Sequence, residues 1–160
     1  MTARATTSAS PTPLLGRSTP AAFMRTYWHR RAHLVRQALP GFHGFLDRRG
    51  MFALAQRDDV ESRLVIRHDN SWELRHGPFR LRELAKLPEH DWTLLAQGVN
   101  LHDDRGAALL DRFGFLPHAR LDDLMVSYAV PGGGVGPHFD SYDVFLLQGP
   151  GRRRWQIGSQ

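Results

Sequence analysis

His138 and Asp140 stand two residues apart at the end of a glycine-rich run, Pro131 to Pro137. In an extended strand, side chains at that spacing leave the same face. One imidazole and one carboxylate on one face supply two of the three ligands of a 2-His-1-carboxylate centre, which binds non-haem iron(II) and leaves positions open for other ligands. A bare His-x-Asp is common on ordinary surfaces, so the pair gains weight only from its surroundings. The glycine run is not a phosphate loop: it lacks the Gly-Lys-Ser/Thr ending, and strand-like residues follow where a helix should begin. The remaining reading is a backbone that turns tightly, passes close to a ligand and delivers His138 and Asp140 to the mouth of a barrel.

Arg152 to Ile157 reads either as a solvated basic edge or as a strand. As a strand, alternation puts Arg153, Trp155 and Ile157 on one face and Arg152, Arg154 and Gln156 on the other. Arg153 then points inward among apolar residues, where a guanidinium needs an anion. The carboxylate of a bound small molecule meets that need with a bidentate pair. Ser127, between Val126 and Tyr128, puts a hydroxyl on a face of small or apolar residues, where it either bonds a ligand or is simply tolerated. Asp122 and Asp123 precede the same strand and read as a solvated turn or as the counter-charge of a cationic substrate. The other histidines show no ligand spacing, and Trp28, Trp72 and Trp92 read as core.

These residues need elements to hold them. Residues 1–18, rich in Ser, Thr, Ala and Pro, read as a disordered tail, with an organellar transit peptide as the rival reading. Thr19-Pro20 then caps a helix carrying Phe23, Met24, Tyr27 and Trp28. Asp47 caps a second helix through Met51, Leu54 and Ala55, ending near Asp58. Val60 to His68 and Trp72 to His76 read as a hairpin turning at Asp69-Asn70. A brief helix at Leu81 to Ala85, a strand from Trp92 to Val99 and a helix capped by Asp103 or Asp104 follow, with Gly114 placed to end it. Beyond it, Leu124–Val130, Tyr142–Gln148 and Arg152–Ile157 read as strands separated by Gly/Pro turns.

The chain has 160 residues, 41% of them hydrophobic, which suits one domain. It contains no cysteine, so disulfides and cysteine-held metals are excluded. No apolar run approaches the roughly 18 residues that cross a bilayer, and a soluble, cytoplasmic protein without a membrane partner is expected. The net charge of +5 is uneven: residues 1–46 hold six arginines and no acid, whereas 101–150 hold seven acids against three bases. An acidic candidate site fits a cationic substrate better than a phosphate backbone, and DNA is not expected as a partner.

Longer stretches carry a resemblance. Val60–Val65, Arg75–Phe79, Trp92–Gln97, Leu121–Ser127, Val130–Asp140, Tyr142–Phe145 and Gly151–Trp155, in this order, resemble the bacterial ribosomal oxygenases of the JmjC, cupin-like family, from about Thr19 to Gly158. The resemblance implies an α+β, mainly β fold, part of a double-stranded β-helix or jelly roll with flanking N-terminal helices. It implies an iron(II)- and 2-oxoglutarate-dependent dioxygenase that hydroxylates an arginine of a large-subunit ribosomal protein, with O2 as second co-substrate. His138 and Asp140 correspond to metal ligands, Arg153 to the anchor of the distal carboxylate of 2-oxoglutarate, and Ser127 to a pocket residue. Full-length relatives are expected to be homodimers. The family's third ligand is a later histidine, and none follows Asp140 here. On that ground residues 19–160 are expected to be the N-terminal part of the oxygenase domain, without the later strands, dimerisation and winged-helix regions, and inactive alone. The alternative is a non-catalytic basic module that binds ribosomal protein or RNA. A cupin-like isomerase or storage protein leaves Arg153 unexplained.

Overall fold

The computed structural model describes residues 13–158. They divide into two compact units, one made of the first 44 residues with those from Asp140 onward, the other of Phe45–Phe139. The stretch after the glycine loop groups with the start of the chain. Residues 1–12 of the expected tail lie outside the described residues. Its inner end is ordered, with a 3-10 turn at Pro13–Leu15 and Leu15 buried.

The larger unit is built on a four-stranded antiparallel sheet, in the order β2-β1-β3-β4, from β1 (Ser62–His68), β2 (Ser71–His76), β3 (Trp92–Ala96) and β4 (Val126–Ala129). The hairpin turns where the sequence places it, pairing His68 with Ser71 and Arg63 with His76. β3 is shorter than the expected Trp92–Val99, because Gly98 adopts a positive φ of 62° and Val99–Leu101 closes into a 3-10 turn. Register sorts the side chains. Leu64, Trp92, Leu94, Ala96, Val126 and Tyr128 share one face and pack on a helix, α2 (Arg48–Ala55), through Met51, Phe52 and Ala55. Arg63, Val65, Trp72, Thr93, Leu95, Ser127 and Ala129 share the other face.

Local rules end the helices. The Asp47 carboxylate accepts from the Gly50 N–H at 2.8 Å and caps α2, which stops at Ala55, short of Asp58. A short helix at Leu81–Leu84 (α3) buries Leu84, and Asp103 caps the next, Asp104–Asp111 (α4). Phe113 is buried just beyond α4, before Gly114.

In the other unit Thr19 caps the helix Pro20–Thr26 (α1), its hydroxyl accepting from the Ala22 N–H at 3.2 Å. Phe23 packs with Tyr27, Trp28, His33 and Phe145, and His29 pairs with Asp143 at 2.7 Å. Trp28 lies past the helix end rather than on its face. Neither Tyr142–Gln148 nor Arg152–Ile157 forms a strand. A strand needs a neighbour to take its backbone groups, and none of the sheet's ladders reaches these residues.

Candidate metal centre

The glycine loop begins bonded to the sheet. Val130 N–H donates to the Trp92 carbonyl at 3.2 Å, Asp91 N–H to the Pro131 carbonyl at 2.8 Å, and Gly133 N–H to the Val130 carbonyl at 2.9 Å. The chain passes so close here that a Cβ on Gly133 would run into the Trp92 carbonyl, and one on Gly132, whose φ is +77°, into the Asp91 carboxylate. Gly134 and Gly136 lie against the indole of Trp72. What these glycines admit here is the protein's own backbone and rings. Trp72, expected in the core, is 42% exposed on edge strand β2.

The loop delivers His138 to the surface, where Nδ1 lies 3.0 Å from the Gly136 carbonyl oxygen. A carbonyl only accepts, so the bond requires a proton on Nδ1, and in the neutral ring the lone pair is then on Nε2. Asp140 is exposed and opens the stretch grouped with the start of the chain, whereas His138 closes the sheet unit. The donors suit a divalent metal in kind, an imidazole fixed in one tautomer and a carboxylate. Among the described residues no three His, Asp or Glu side chains cluster to hold one.

Ser127 is half-buried in β4 opposite Leu95. On its face, one residue pair along, lies Thr93, fully buried, with a hydroxyl that has no hydrogen-bond partner among the described residues. Such a group costs about 1–3 kcal/mol until something polar reaches it. Arg153 is half-buried, and burial pushes its guanidinium down from its ordinary value. Its guanidinium carbon lies 5.8 Å from the centre of the Trp155 ring. The alternation read from the sequence fails for its neighbours: Trp155 is 46% exposed and Ile157 73%, as they are not in a strand.

Asp122 is exposed, and Asp123 has a local task. Its carboxylate accepts from the Gly98 N–H and from Gln97 Nε2 at 3.1 Å, while Asn100 Oδ1 takes the Leu124 N–H at 2.8 Å. The turn after β3 is thus clasped to the approach to β4. Sequence reasoning missed Trp72, Thr93 and this clasp. The signal available was a tryptophan and several glycines with no stated use for each other. A cavity of about 330 Å³ lies elsewhere, between Leu64, Arg75, Phe79, Glu83 and Leu84, and holds none of the candidate residues.

Known proteins resemble this chain in sequence and fold. Residues 108–160 match the JmjC domain. The chain is 44% identical over 141 residues to the ribosomal protein uL16 3-hydroxylase of Escherichia coli, and 42% identical over 141 residues to a probable ribosomal oxygenase of Haemophilus influenzae. The chain is thus similar in sequence to ribosomal oxygenases, with the JmjC match confined to residues 108–160. The matches take in 86% and 88% of this chain but only 36% and 35% of those relatives, so the chain spans about a third of their length. The solved structure of the Escherichia coli ribosomal oxygenase YcfD with cobalt and 2-oxoglutarate aligns at a TM-score of 0.69 and 40% identity, over 74% of this chain and 32% of that one. Another structure of YcfD aligns at 0.72 and 39%, over 79% and 33%. The α+β sheet with short helices is thus part of the JmjC oxygenase fold. No helix among the described residues is long and apolar enough to cross a membrane.

Proposed function

We propose that residues 19–160 are the N-terminal part of the catalytic domain of an iron(II)- and 2-oxoglutarate-dependent hydroxylase acting on an arginine of a large-subunit ribosomal protein. The observation that carries this reading is the 44% identity to a uL16 3-hydroxylase across nearly the whole chain. In this reading His138, through Nε2, and Asp140 are ligands of the iron. Arg153 meets the distal carboxylate of 2-oxoglutarate, and the hydroxyl of Ser127 lines the co-substrate pocket. The buried Thr93 hydroxyl supports a polar occupant on the Ser127 face. When bound, the metal and 2-oxoglutarate supply, with O2, the oxidising power that replaces a substrate C–H by C–OH. The protein's own work is to bind, orient and exclude water. Cytoplasmic location and homodimerisation belong to the same proposal.

Joining this chain to the remaining two-thirds of the Escherichia coli relative tests it. With iron(II), 2-oxoglutarate and O2, the chimera is expected to add the mass of one oxygen atom to uL16 and to lose that ability on His138→Ala. A folded chimera that leaves uL16 unmodified, beside an active Escherichia coli control, would overturn the reading in favour of a non-catalytic binding module.

A further inference from the structure

Trp72 is a large apolar side chain on an edge strand, and its surroundings give it a purpose. It pairs with Arg67 near the tip of the β1–β2 hairpin, on the sheet face that carries Ser127 and Thr93. A Cβ on Gly134 would stand 3.3 Å from its ring, and one on Gly136 only 3.1 Å from its Nε1. The indole therefore lies directly against the loop, and a side chain on either glycine would press on the ring. Gly136, at a φ of +73°, also offers the carbonyl to which His138 Nδ1 is bonded. Ring, glycine backbone and imidazole form one chain of contacts within the larger unit.

We propose that Trp72 is a positioning residue that fixes the tautomer and orientation of His138 through Gly134 and Gly136. A loop with this many glycines has a large conformational entropy to lose. A rigid, flat indole supplies wide contact area at little entropy cost of its own, which restrains the Gly136 carbonyl. That carbonyl in turn holds the proton on Nδ1. An unrestrained neutral imidazole in water prefers the proton on Nε2, so the arrangement reverses the intrinsic preference and puts the lone pair where a metal can use it. The value of this to the protein rests on the reading of His138 as a metal ligand; the positioning itself rests on the contacts alone.

The test uses the 160-residue chain labelled with 15N-histidine, observed above the histidine titration range by long-range proton–nitrogen correlation. The His138 signal is assigned by its loss in His138→Gln. The wild-type protein is expected to show His138 as the Nδ1–H tautomer. Trp72→Ala should return it to mostly Nε2–H while the amide spectrum of β1 and β3 is kept, and Trp72→Phe should restore at least part of the Nδ1–H form. An Nδ1–H tautomer that survives Trp72→Ala, or its absence in the wild type, would overturn the proposal. Cobalt(II) absorption of the chimera separates the two ideas: binding through His138 should weaken at least about tenfold in Trp72→Ala, in the range of lost orienting contacts at metal sites. A tautomer that depends on Trp72, beside a folded chimera that binds no cobalt through His138, would uphold the positioning and sink the metal reading.

Discussion

Strand β3 is buried along its whole length and bonded to a neighbour on each side, whereas the residues from Tyr142 to Ile157 have no ladder and mostly lie exposed. Both stretches are rich in β-branched and aromatic side chains. The difference is that Trp92 to Ala96 sit between β1 and β4 while α2 covers one face. Strand propensity describes a fit to a pleated, half-buried surface, so it acts only where such a surface exists. The candidate residues divide along this line. Ser127 and His138 are set by the sheet and its loop; Asp140 and Arg153 belong to the stretch without a ladder.

The largest effect that can break this comparison is on stability. Trp92→Ala removes a fully buried ring and should cost about 3–5 kcal/mol. Ile157→Ser, at an exposed position, should stay within about 0.5 kcal/mol. Urea denaturation of the two variants beside the wild type measures both. A large cost at Ile157 would show that the later stretch has packing which its exposure does not reveal.

Arg153 comes next, because it is the half-buried exception in the exposed stretch. In the chimera, Arg153→Ala is expected to weaken 2-oxoglutarate binding by roughly 1.5–3 kcal/mol, the range for a hydrogen bond to a charged group. Calorimetric titration with 2-oxoglutarate measures it. Unchanged affinity would make Arg153 a residue that merely packs beside Trp155.

A smaller effect lies at a helix cap and depends on pH. The Asp103 carboxylate accepts from the Arg105 guanidinium at 2.7 Å and from the Arg105 N–H at 2.9 Å, and the guanidinium holds it below the usual carboxylate range. A carboxyl depressed on folding stabilises the fold above its unfolded value, and that contribution is lost as pH falls through the folded one. Asp103→Ala should therefore cost about 1 kcal/mol at neutral pH, the usual cost of a lost cap. The gap to wild type should narrow in acid, as read from denaturation midpoints at a series of pH values. A gap independent of pH would mean that packing, not charge, sets the cost.

Asp103 also shows what a sequence reveals. Its cap, like those of Thr19 and Asp47 and the turn at Asp69-Asn70, depends on residues within a few positions, and all four stand where local rules put them. The His138-x-Asp140 motif was legible because the glycines frame it. Trp72 against Gly134 and Gly136, and Asp123 against Gly98, were not: each joins residues tens of positions apart, and only the sheet order brings them together. The strands expected at 142–148 and 152–157 failed for the same reason, since their pairing is not a local property.

The smallest effect concerns the two neighbouring carboxylates before β4. Both were candidates for meeting a cationic substrate, and the structure separates them. Asp123 is half-buried and spends its oxygens on Gly98 and Gln97, so Asp123→Ala should act mainly on stability, by lifting the clasp that leads into β4. Asp122 is exposed and remains available to a substrate arginine under the proposed function. An exposed charge is worth little, about 0.2–1 kcal/mol for a pair, and salt screens it. Asp122→Asn in the chimera is therefore expected to raise KM for an arginine-containing uL16 peptide by a factor of roughly 1.5–5 at low ionic strength. The change should fade as salt is added, while kcat and 2-oxoglutarate affinity stay the same. A KM effect that persists in salt would mean that the bound peptide shields Asp122 from water, which makes it a desolvated partner of the substrate. No effect at any ionic strength would remove Asp122 from the site and leave the counter-charge to a residue outside the pair.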